Sequence, residues 1–572
     1  MCGISGYVNV YDKGLIRKMN KVLRHRGPND SGIFSDSRVT LGHTRLSIID
    51  LSKAGRQPMT DEDGEVVIVF NGEIYNFMEL KERYLKEIKF ASNTDTEVII
   101  YLYKKFGTNF VNLLDGMFAL AIYDTKKHKL ILARDIYGKK PLYYHLGKGG
   151  VFVFSSEIKS MLKFDGLGRE LNLDVIADQL LFRYNMRDET IVRGIKSLEP
   201  SSLMEVGIGE EVSLSKRKYH RIEIGNRKPE KGMSRVLLEL LREAVRKRMI
   251  ADVPLGTTLS GGLDSSVVSF FCKRFKEDIQ SFTIGYKEGE SEDKSALHAS
   301  LVIGTKHREM KIGYADMLKE WEKIMWHLEE PITNSTVPLT YFLAKHIRNN
   351  DTTVALIGEG SDELFMGYTS YKLAKLLEHV PLRSETKFKL FYGIGYKALL
   401  PKHVQRYTKL GSREPYKNLG PYSLKKVNEL EIKYELPNFQ LMRIDKLMMA
   451  HSIEARAPYL DKFFSRRVLR IKPSLRVNFL SEKLLLRKSA CEILPREIAF
   501  RKKGGPRGVI KALLNAGLMS KLSRDLDLLP FVNKKQIERL MSKNKPSGNE
   551  TAFLFHLAML TSLIRLFDLN VP

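Results

Sequence analysis

Short apolar runs separated by turns dominate the first 200 residues of the chain. They include residues 66–70, 117–122, 130–133 and 151–154, each short enough for a strand and bounded by polar residues. A longer stretch over 94–106 has helical periodicity, with Thr94 or Asp95 placed to cap its N-terminus. This mixture predicts a strand-rich α+β domain in which two sheets lie between helices.

The regular pattern is interrupted between residues 206 and 232. This segment is rich in Gly, Lys, Arg and Glu and has little periodicity, as is typical of a linker. We therefore expect a first domain over residues 2–205 and a second over residues 233–572.

Longer helical patterns alternate with short apolar strands in the second part of the chain. Residues 235–249 and 265–275 read as helices, whereas 280–285 and 352–358 read as strands. This alternation predicts a doubly wound parallel sheet, an α/β architecture. The region after about Leu364 is mostly helical and rich in lysine.

Length and hydrophobicity are typical of a globular enzyme with two to four domains. The chain has 572 residues, of which 43% are hydrophobic and 28% charged. No apolar run reaches the roughly 18 residues that a membrane span needs, and the longest candidate, 553–567, predicts a buried or amphipathic helix. No secretory signal pattern is visible. We expect a cytoplasmic protein with no membrane partner.

The chain is strongly basic, with 94 Lys and Arg against 67 Asp and Glu and a net charge of +27. Such a charge is compatible with binding to nucleic acid or to an anionic membrane. The basic residues are nevertheless scattered and do not form one tract with aromatic residues between them. We favour a solvated basic surface, which also attracts anionic substrates, and do not expect a nucleic-acid partner.

Cysteine chemistry is concentrated in one candidate, Cys2. The other cysteines are Cys272 and Cys491, and no CxxC or metal-ligand spacing occurs, which argues against a disulfide framework and a zinc site. Removal of Met1 would make Cys2 an N-terminal nucleophile whose own amine acts as its base. A cysteine at position two is usually incidental, so this feature alone is weak evidence.

A glycine- and serine-rich loop, Leu259–Ser266, follows a strand-like segment and begins a helix. Backbone amides of Gly261 and Gly262 can turn toward an anion, Ser260 and Ser265 can donate hydroxyl groups, and a helix N-terminus adds partial positive charge. No GxxxxGK[ST] motif occurs, so this is not a Walker-type loop. The pattern predicts a phosphate-binding loop.

Two acidic residues follow the ends of two predicted strands. Asp264, in the phosphate loop, would repel a phosphate unless a cation lies between them, which indicates Mg²⁺. Asp362 lies in a second acidic loop, 358–363, after the strand at 353–357. Loops at the carboxyl ends of parallel strands meet in one crevice, so these two carboxylates could share a metal. The alternative is two unrelated acidic turns.

The chain resembles the glutamine-hydrolysing asparagine synthetases. Ser260–Ser266 is similar to the pyrophosphate loop of ATP pyrophosphatases, and the segments 358–365 and 453–461 are typical of asparagine synthetases. The N-terminal half resembles class II glutamine amidotransferase domains in six segments, in the same order: 25–28, 42–48, 71–76, 114–119, 134–135 and 154–157. The resemblance is weakest over 375–435 and after 510.

This resemblance implies the fold of both halves. The first half would be an N-terminal nucleophile (Ntn) hydrolase sandwich of two antiparallel sheets between helices. The second would be an α/β doubly wound parallel-sheet domain of the ATP pyrophosphatase type, followed by a helical C-terminal region.

The resemblance also implies roles in a glutaminase site. The Cys2 thiolate would attack the side-chain amide of glutamine, and the Asn71 side chain and the Gly72 amide would stabilise the oxyanion. Arg45 would bind the glutamine α-carboxylate, and Glu73 and Asp95 its α-ammonium. Asn29 stands where the family usually has aspartate, and none of these roles depends on it.

In the second domain, the resemblance implies attack of the aspartate side-chain carboxylate on ATP, giving β-aspartyl-AMP and pyrophosphate. Lys483 would neutralise phosphate charge and Glu359 would act as base for the attacking ammonia. The residues expected to bind ATP are Leu259, Ser260, Gly261, Gly262, Asp264, Ser265, Ile284 and Gly358. Asp264 and Asp362 would bind Mg²⁺, and a shielded passage lined by apolar side chains would connect the two sites.

The acceptor substrate and the assembly state stay open. The segment 329–336, including Asn334, lies where relatives vary and where the acceptor would be recognised. The acceptor could be aspartate or another carboxylate, such as a sugar acid or a peptide. A basic scaffold protein that binds RNA or membranes is an alternative of a different class, and a homodimer is an open possibility.

Overall fold

The computed structural model describes residues 1–10, 12, 14–209, 211–288, 292–410, 416–502, 504 and 508–572. Within these ranges the chain forms two six-stranded antiparallel sheets, followed by one five-stranded parallel sheet surrounded by helices. The predicted fold class is confirmed.

Twelve strands build the two antiparallel sheets. Their bounds are β1 (Gly3–Val8), β2 (Asp30–Ser35), β3 (Val39–Arg45), β4 (Met59–Thr60), β5 (Val66–Ile74), β6 (Gly116–Asp124), β7 (Lys129–Arg134), β8 (Tyr143–Leu146), β9 (Phe152–Ser155), β10 (Lys196–Ser197), β11 (Ser202–Gly207) and β12 (Ser213–Lys218). The strand order is β10-β8-β9-β1-β3-β2 in the first sheet and β12-β11-β7-β6-β5-β4 in the second. The four predicted apolar runs lie in β5, β6, β7 and β9.

Five α-helices belong to this part of the chain: α1 (Leu15–Leu23), α2 (Phe77–Tyr84), α3 (Asp95–Phe106), α4 (Ile158–Met161) and α5 (Leu173–Phe182). Helices α1 and α4 pack on the first sheet, and α3 packs on the second. Between the sheets, alternate apolar residues such as Ile4, Val67 and Leu132 form one buried core. Thr94 caps α3 by accepting a hydrogen bond from the Glu97 amide. The order helix, sheet, sheet, helix is the predicted sandwich.

Part of the segment predicted as a linker belongs to the second antiparallel sheet. Residues 213–218 form β12, which pairs with β11 from Ser202↔Lys218 to Gly207↔Ser213. The basic, mostly exposed side chains of β12 hide its strand character, because an edge strand needs little apolar surface. The domain boundaries themselves stay a prediction.

The parallel sheet contains β13 (Leu255–Thr258), β14 (Gln280–Tyr286), β15 (Lys306–Ile312), β16 (Val354–Leu356) and β17 (Glu454–Arg456) in the order β15-β14-β13-β16-β17. All four pairings are parallel. Because the order reverses direction at β13, the loops after β13 and β16 open into one crevice.

Nineteen helices are described in this part of the chain. They are α6 (Met233–Lys247), α7 (Leu263–Phe275), α8 (Asp293–Ile303), α9 (Tyr314–Lys319), α10 (Trp321–Leu328), α11 (Val337–Arg348), α12 (Ser361–Phe365), α13 (Ser370–His379), α14 (Ser384–Leu390), α15 (Pro401–Tyr407), α16 (Leu424–Leu430), α17 (Met442–Met449), α18 (Lys462–Leu469), α19 (Leu484–Ala490), α20 (Arg496–Ala499), α21 (Val509–Leu513), α22 (Met519–Asp525), α23 (Lys534–Met541) and α24 (Gly548–Phe567). Glu431–Leu441, between α16 and α17, is a π-helical segment.

Among the described residues, α24 alone is long and apolar enough to cross a membrane by length and composition. Of its most apolar window, 78% is buried inside the protein. Trp321 of α10 donates a hydrogen bond to Ser562 of α24 at 3.0 Å. This helix contains residues 553–567 and is a core helix of the second domain.

Candidate active sites

Cys2 immediately precedes β1, in the interior of the first sheet. Its residue is 7% exposed, and burial raises the pKa of its thiol, while the positive charges of the chain's α-amine and Arg45 oppose that rise. Its backbone N–H donates to Asn71 Oδ1 at 3.1 Å, and its carbonyl accepts from Arg26 Nε at 3.0 Å. These two bonds fix the backbone that carries the sulfur.

Asn71 and Gly72 lie on β5 beside Cys2. Asn71 Oδ1 accepts the hydrogen bond from Cys2, so the other atom of the amide group, Nδ2, is a free donor. This buried nitrogen has no hydrogen-bond partner among the described residues. A side chain at position 72 would place a carbon 2.1 Å from the Met117 carbonyl oxygen, so only glycine allows β5 to approach β6 this closely. An unsatisfied buried donor beside a nucleophile suits an oxyanion.

Arg45 ends β3 and lies at the wall of a cleft of about 570 Å³ between the two domains. Its guanidinium donates to the carbonyls of Ser52, at 2.7 Å, and Asp50. The cleft is also lined by Arg348 of the second domain. The guanidinium is therefore held in place by neutral carbonyls, which leaves its charge available to a carboxylate.

Glu73 and Asp95 are buried acids near the same site. Burial raises the pKa of Asp95 to about 6, although its Oδ2 accepts a hydrogen bond from the Ile74 amide at 2.8 Å. Burial, followed by the charge of Glu454, raises the pKa of Glu73 well above its usual range. A bound ammonium group would stabilise the charged form of both carboxylates.

Two residues of the second domain reach this site and were not predicted to do so. Arg456 of β17 contacts Glu73 Oε1 at 3.4 Å and donates to Glu454 Oε1 at 2.6 Å. Glu454 Oε2 lies 3.0 Å from the α-amine of Met1. The side chain of Met1 is also buried. The segment 453–461 identified the family, but no local pattern indicates that it faces the other domain.

The predicted phosphate loop lies between β13 and α7. Gly261 has a φ of +70°, and a side chain there would place a carbon 2.3 Å from the Ser295 carbonyl oxygen. The hydroxyls of Ser260 and Ser265 lie 3.1 Å apart, and Ser260 Oγ accepts from the Gly262 amide at 3.3 Å. The loop leads into α7, so its amides and the helix N-terminus face the same crevice.

Lys483 brings the two acidic loops together. Its Nζ lies 2.5 Å from Asp264 Oδ2 and 2.7 Å from Asp362 Oδ1, and Ser361 Oγ donates to Asp264 Oδ1 at 2.8 Å. Lys483 is 4% exposed and has a left-handed φ of +54°. A buried non-glycine residue held in this sparsely populated conformation is typical of a functional site.

The other predicted nucleoside-site residues surround this loop. Leu259 is buried and donates its backbone N–H to the Phe282 carbonyl at 2.9 Å, Ile284 lies on the neighbouring strand β14, and Gly358 follows β16 and packs against Asp264. Their roles stay predictions, although the fold brings them to one edge of the sheet.

Glu359 is paired with an arginine. Arg443 of α17 donates to Glu359 Oε1 at 2.9 Å and to Thr340 Oγ1 at 2.6 Å. The Glu359 side chain remains 26% exposed. Its carboxylate therefore lies at the surface of the crevice, where an incoming group can reach it.

Part of the segment 329–336 contacts the first domain. Glu329 is fully buried, accepts from the amides of Ile158 and Lys159, and lies 2.6 Å from Lys446 Nζ. Glu330 accepts from Gln179 at 2.8 Å. These two residues hold the domains together, whereas Asn334 caps the approach to α11 by accepting from the Thr336 amide.

Buried charged groups, which were not predicted, also connect the domains. Arg26 contacts Glu157 at 3.0 Å and Asp445 at 2.8 Å, and Lys140 contacts Asp445 at 3.2 Å. Apolar patterning gives no signal for such a contact, because its residues are polar and far apart in sequence. The expectation of an apolar passage stays a prediction.

An Ntn-type sandwich with a glutaminase-type site, followed by a phosphate loop on a parallel sheet, defines a glutamine-dependent carbon–nitrogen ligase. The sequence profile described as Asparagine synthase matches residues 236–564, and that described as Glutamine amidotransferase domain matches residues 1–220. The chain belongs to the asparagine synthase family.

Curated relatives support this assignment over most of the chain. Asparagine synthetase [glutamine-hydrolyzing] 1 of Bacillus subtilis is 32% identical, covering 88% of this chain and 86% of the relative. Asparagine synthetase B [glutamine-hydrolyzing] of Escherichia coli is 28% identical, covering 88% and 81%. Amidase chry2 of Gibberella zeae is also 28% identical, covering 94% and 93%.

Proposed function

We propose that this chain makes asparagine and glutamate from aspartate and glutamine, with cleavage of ATP to AMP and pyrophosphate. The observation that carries the proposal is the pair of ion pairs by which Lys483 connects Asp264 and Asp362. In the first domain, Cys2 lies beside Asn71, whose Nδ2 has no hydrogen-bond partner among the described residues. The family assignment supports ammonia from glutamine as the link between these sites.

In the first half-reaction, once Met1 has been removed, the freed amine of Cys2 takes the thiol proton and the sulfur attacks the glutamine amide carbon. Asn71 Nδ2 and the Gly72 amide donate to the oxyanion, which lowers the energy of the tetrahedral state. The carbon–nitrogen bond breaks, the amine returns the proton to the leaving ammonia, and water hydrolyses the thioester. The α-carboxylate of glutamine is held by Arg45, and its α-ammonium is held by Glu73 and Asp95.

In the second half-reaction, an aspartate carboxylate oxygen attacks the α-phosphorus of ATP, and pyrophosphate leaves. The loop amides and the hydroxyls of Ser260 and Ser265 hold the pyrophosphate, while Lys483 balances its charge. Ammonia then attacks the acyl carbon, Glu359 accepts a proton, and AMP leaves. Because ammonium has no lone pair, ammonia must travel between the sites shielded from water.

The crevice is suited to Mg²⁺. Two carboxylates, those of Asp264 and Asp362, could bind the ion. Both form ion pairs with the ammonium of Lys483 beside the predicted phosphate loop. Carboxylate and phosphate oxygens are the ligands that Mg²⁺ prefers. The ion would neutralise charge on the leaving pyrophosphate, and Lys483 would move from the carboxylates toward the phosphates.

A second candidate is the same chemistry on another carboxylate, such as a sugar acid or peptide. One relative that matches 94% of this chain has the name Amidase chry2 and not that of an asparagine synthetase, which keeps a different acceptor open. A cytoplasmic location and a homodimer remain predictions. An RNA- or membrane-binding scaffold would be supported by salt-sensitive RNA retention without pyrophosphate release.

Product identification tests the proposal. Purified protein is supplied with aspartate, amide-¹⁵N-glutamine, ATP and Mg²⁺, and asparagine, AMP and pyrophosphate are quantified. We expect equal amounts of the three products and ¹⁵N in the asparagine amide. Continued glutamine hydrolysis without asparagine would contradict the proposal and favour a different acceptor.

A further inference from the structure

The guanidinium of Arg26 bonds to three parts of the molecule. Its Nε donates to the Cys2 carbonyl oxygen at 3.0 Å, and its Nη1 donates to Glu157 Oε1 at 3.0 Å. Its Nη2 donates to Asp445 Oδ2 at 2.8 Å. Cys2 and Glu157 belong to the first domain, whereas Asp445 lies on α17 in the second. One planar group therefore connects the backbone of the candidate nucleophile to the other domain.

Asp445 is buried between two cations of the first domain. Its side chain is 2% exposed, its Oδ2 accepts from Arg26, and its Oδ1 accepts from Lys140 Nζ at 3.2 Å. Arg26 and Lys140 are buried as well. Because a cation bonds to each oxygen of the carboxylate, Asp445 is fixed in position and holds the Arg26 guanidinium in one orientation.

Stability alone gives little reason for this buried ionic contact. The desolvation of two charges can exceed their attraction, and apolar residues of similar volume often serve a fold as well or better. An arginine, in contrast, provides geometry, since its N–H donors lie in one rigid plane. A rotation of the Arg26 guanidinium that breaks its bond to Asp445 also displaces its bond to Cys2.

The position of the Cys2 sulfur depends on bonds of this kind. Cys2 lies at the start of the chain, and removal of Met1 would leave it with one covalent neighbour, Gly3. Terminal residues are mobile unless other groups hold them. On the carbonyl side of Cys2, the group that holds the backbone is Arg26, whereas Asn71 contacts its nitrogen.

Helix α17 faces both candidate sites. Consecutive residues of an α-helix are rotated by about 100°, so the side chains of Arg443 and Asp445 point about 200° apart. Arg443 donates to Glu359 Oε1 at 2.9 Å, in the synthetase crevice, while Asp445 bonds to Arg26. The helix that holds the proposed base of the second reaction therefore also holds the arginine behind Cys2.

We propose that Asp445 is a positioning residue for glutamine hydrolysis. It fixes Arg26, and Arg26 fixes the Cys2 backbone so that the sulfur meets the amide carbon of glutamine. This inference rests on the proposed role of Cys2 as the glutaminase nucleophile. It adds a residue of the second domain to the machinery of the first site and makes glutamine hydrolysis depend on the placement of α17.

Asp445→Asn tests the inference with little change in size. An asparagine side chain has one acceptor oxygen, so either Arg26 or Lys140 would face an N–H donor. Glu330→Gln is the matched control. Glu330 is another buried acid of the second domain that contacts the first domain, through Gln179, and it is not among the Arg26 partners that the structure describes. Glutamine hydrolysis and ammonia-dependent asparagine synthesis are measured in each protein.

In Asp445→Asn, kcat for glutamine hydrolysis should fall by about 10- to 100-fold, because a displacement of a reacting atom by about 1 Å can cause a loss of this size. The KM for glutamine should change little, since Arg45, Glu73 and Asp95 are left in place. Ammonia-dependent synthesis should stay near the wild-type rate and shows that the variant folds. Glu330→Gln should match the wild type in all three quantities.

A second variant, Arg26→Lys, asks whether Asp445 acts through Arg26. Lysine keeps the charge but cannot bond to three separate acceptors in one plane, so kcat should again fall. The double variant should then be within about threefold of Arg26→Lys alone, because two residues that act through the same bond are not additive. Losses that multiply would mean that Asp445 acts independently of Arg26, which overturns the inference.

The remaining outcomes separate this inference from the proposed function. A wild type that does not hydrolyse glutamine overturns both. An unchanged kcat in Asp445→Asn, or an equal loss in Glu330→Gln, overturns the positioning role and leaves asparagine synthesis standing. If Asp445→Asn also loses ammonia-dependent synthesis, Arg26→Lys decides: a selective loss of glutamine hydrolysis supports the inference, whereas an unchanged kcat or a loss of both activities overturns it.

Discussion

The two candidate sites are built in different ways. In the glutaminase site, most functional groups lie on or next to strands β1, β3 and β5, and backbone groups hold some of them, as the Ser52 carbonyl does for Arg45. In the synthetase site, Asp264, Asp362 and Lys483 come from three separate parts of the chain and are held by one another. Removal of one group should therefore weaken the first site locally and rearrange the second.

The sites also differ in how they treat charge. In the glutaminase site, the neutral donor Asn71 Nδ2 has no hydrogen-bond partner among the described residues and could bond to an oxyanion. In the second candidate site, the Lys483 ammonium is paired with two carboxylates, those of Asp264 and Asp362. Under the proposed mechanism, the first site is preorganised for its transition state, whereas Lys483 in the second must exchange ion-pair partners when ATP binds.

The largest expected effect separates the sites completely. Cys2→Ala should abolish glutamine-dependent synthesis, because Cys2 is the nucleophile of the proposed glutaminase reaction, and should leave ammonia-dependent synthesis largely intact. Asparagine formation is measured with glutamine and with ammonium chloride. Cys491→Ala, which changes an exposed cysteine, is the control, and loss of both activities in Cys2→Ala would contradict two separable sites.

The next effect lies in the synthetase site. Lys483→Ala leaves Asp264 and Asp362 facing each other and the phosphates, so aspartate-dependent pyrophosphate release should fall by about 10²- to 10³-fold. Glutamine hydrolysis should stay near the wild-type rate. The exposed Lys488 of α19 provides the matched control, Lys488→Ala, and an equal loss in glutaminase would mean that the lysine supports the whole fold.

A similar loss, confined to the other site, is expected for Asn71→Ala. Without the side-chain donor, kcat for glutamine hydrolysis should fall by about 10²- to 10³-fold with a smaller change in KM. Ammonia-dependent synthesis reports whether the fold is intact. A change in KM alone would show that Asn71 binds glutamine and does not stabilise the oxyanion.

The smallest effect is a pH dependence of glutamine binding. Asp95 has a raised pKa of about 6, so its carboxylate is ionised above that pH and becomes neutral below it. Since the charged form is needed to hold the α-ammonium, kcat/KM for glutamine should fall about fivefold between pH 6 and pH 5. Asp95→Asn should have low activity and no inflection near pH 6, and an unchanged inflection would assign it to another group.

Much of the first site could be predicted because its residues lie in short, ordered segments. Asn71 and Gly72 sit in a strand whose apolar pattern is clear, and Thr94 begins a helix with a recognisable cap. The convergence of Asp264 and Asp362 could also be predicted, since each lies just beyond the loop that follows a parallel strand.

Other parts could not be predicted from local pattern. β17 has the sequence Glu-Ala-Arg, which resembles an exposed turn, and it is buried because Glu454 and Arg456 pair with each other and with the first domain. Glu431 and Glu435 look like the solvated face of a helix, yet both are buried and contact the hydroxyl of Tyr396, which is distant in sequence. In both cases, tertiary partners override the local tendency of charged residues to lie outside.

The most direct test of two sites joined within one protein is an isotope competition. The enzyme receives aspartate, ATP, Mg²⁺ and amide-¹⁵N-glutamine in a large excess of unlabelled ammonium, at a pH where most free ammonia is protonated. If ammonia passes internally from Cys2 to the synthetase crevice, the asparagine amide should remain mostly ¹⁵N-labelled. Dilution of the label to the isotope ratio of the solution would contradict the account.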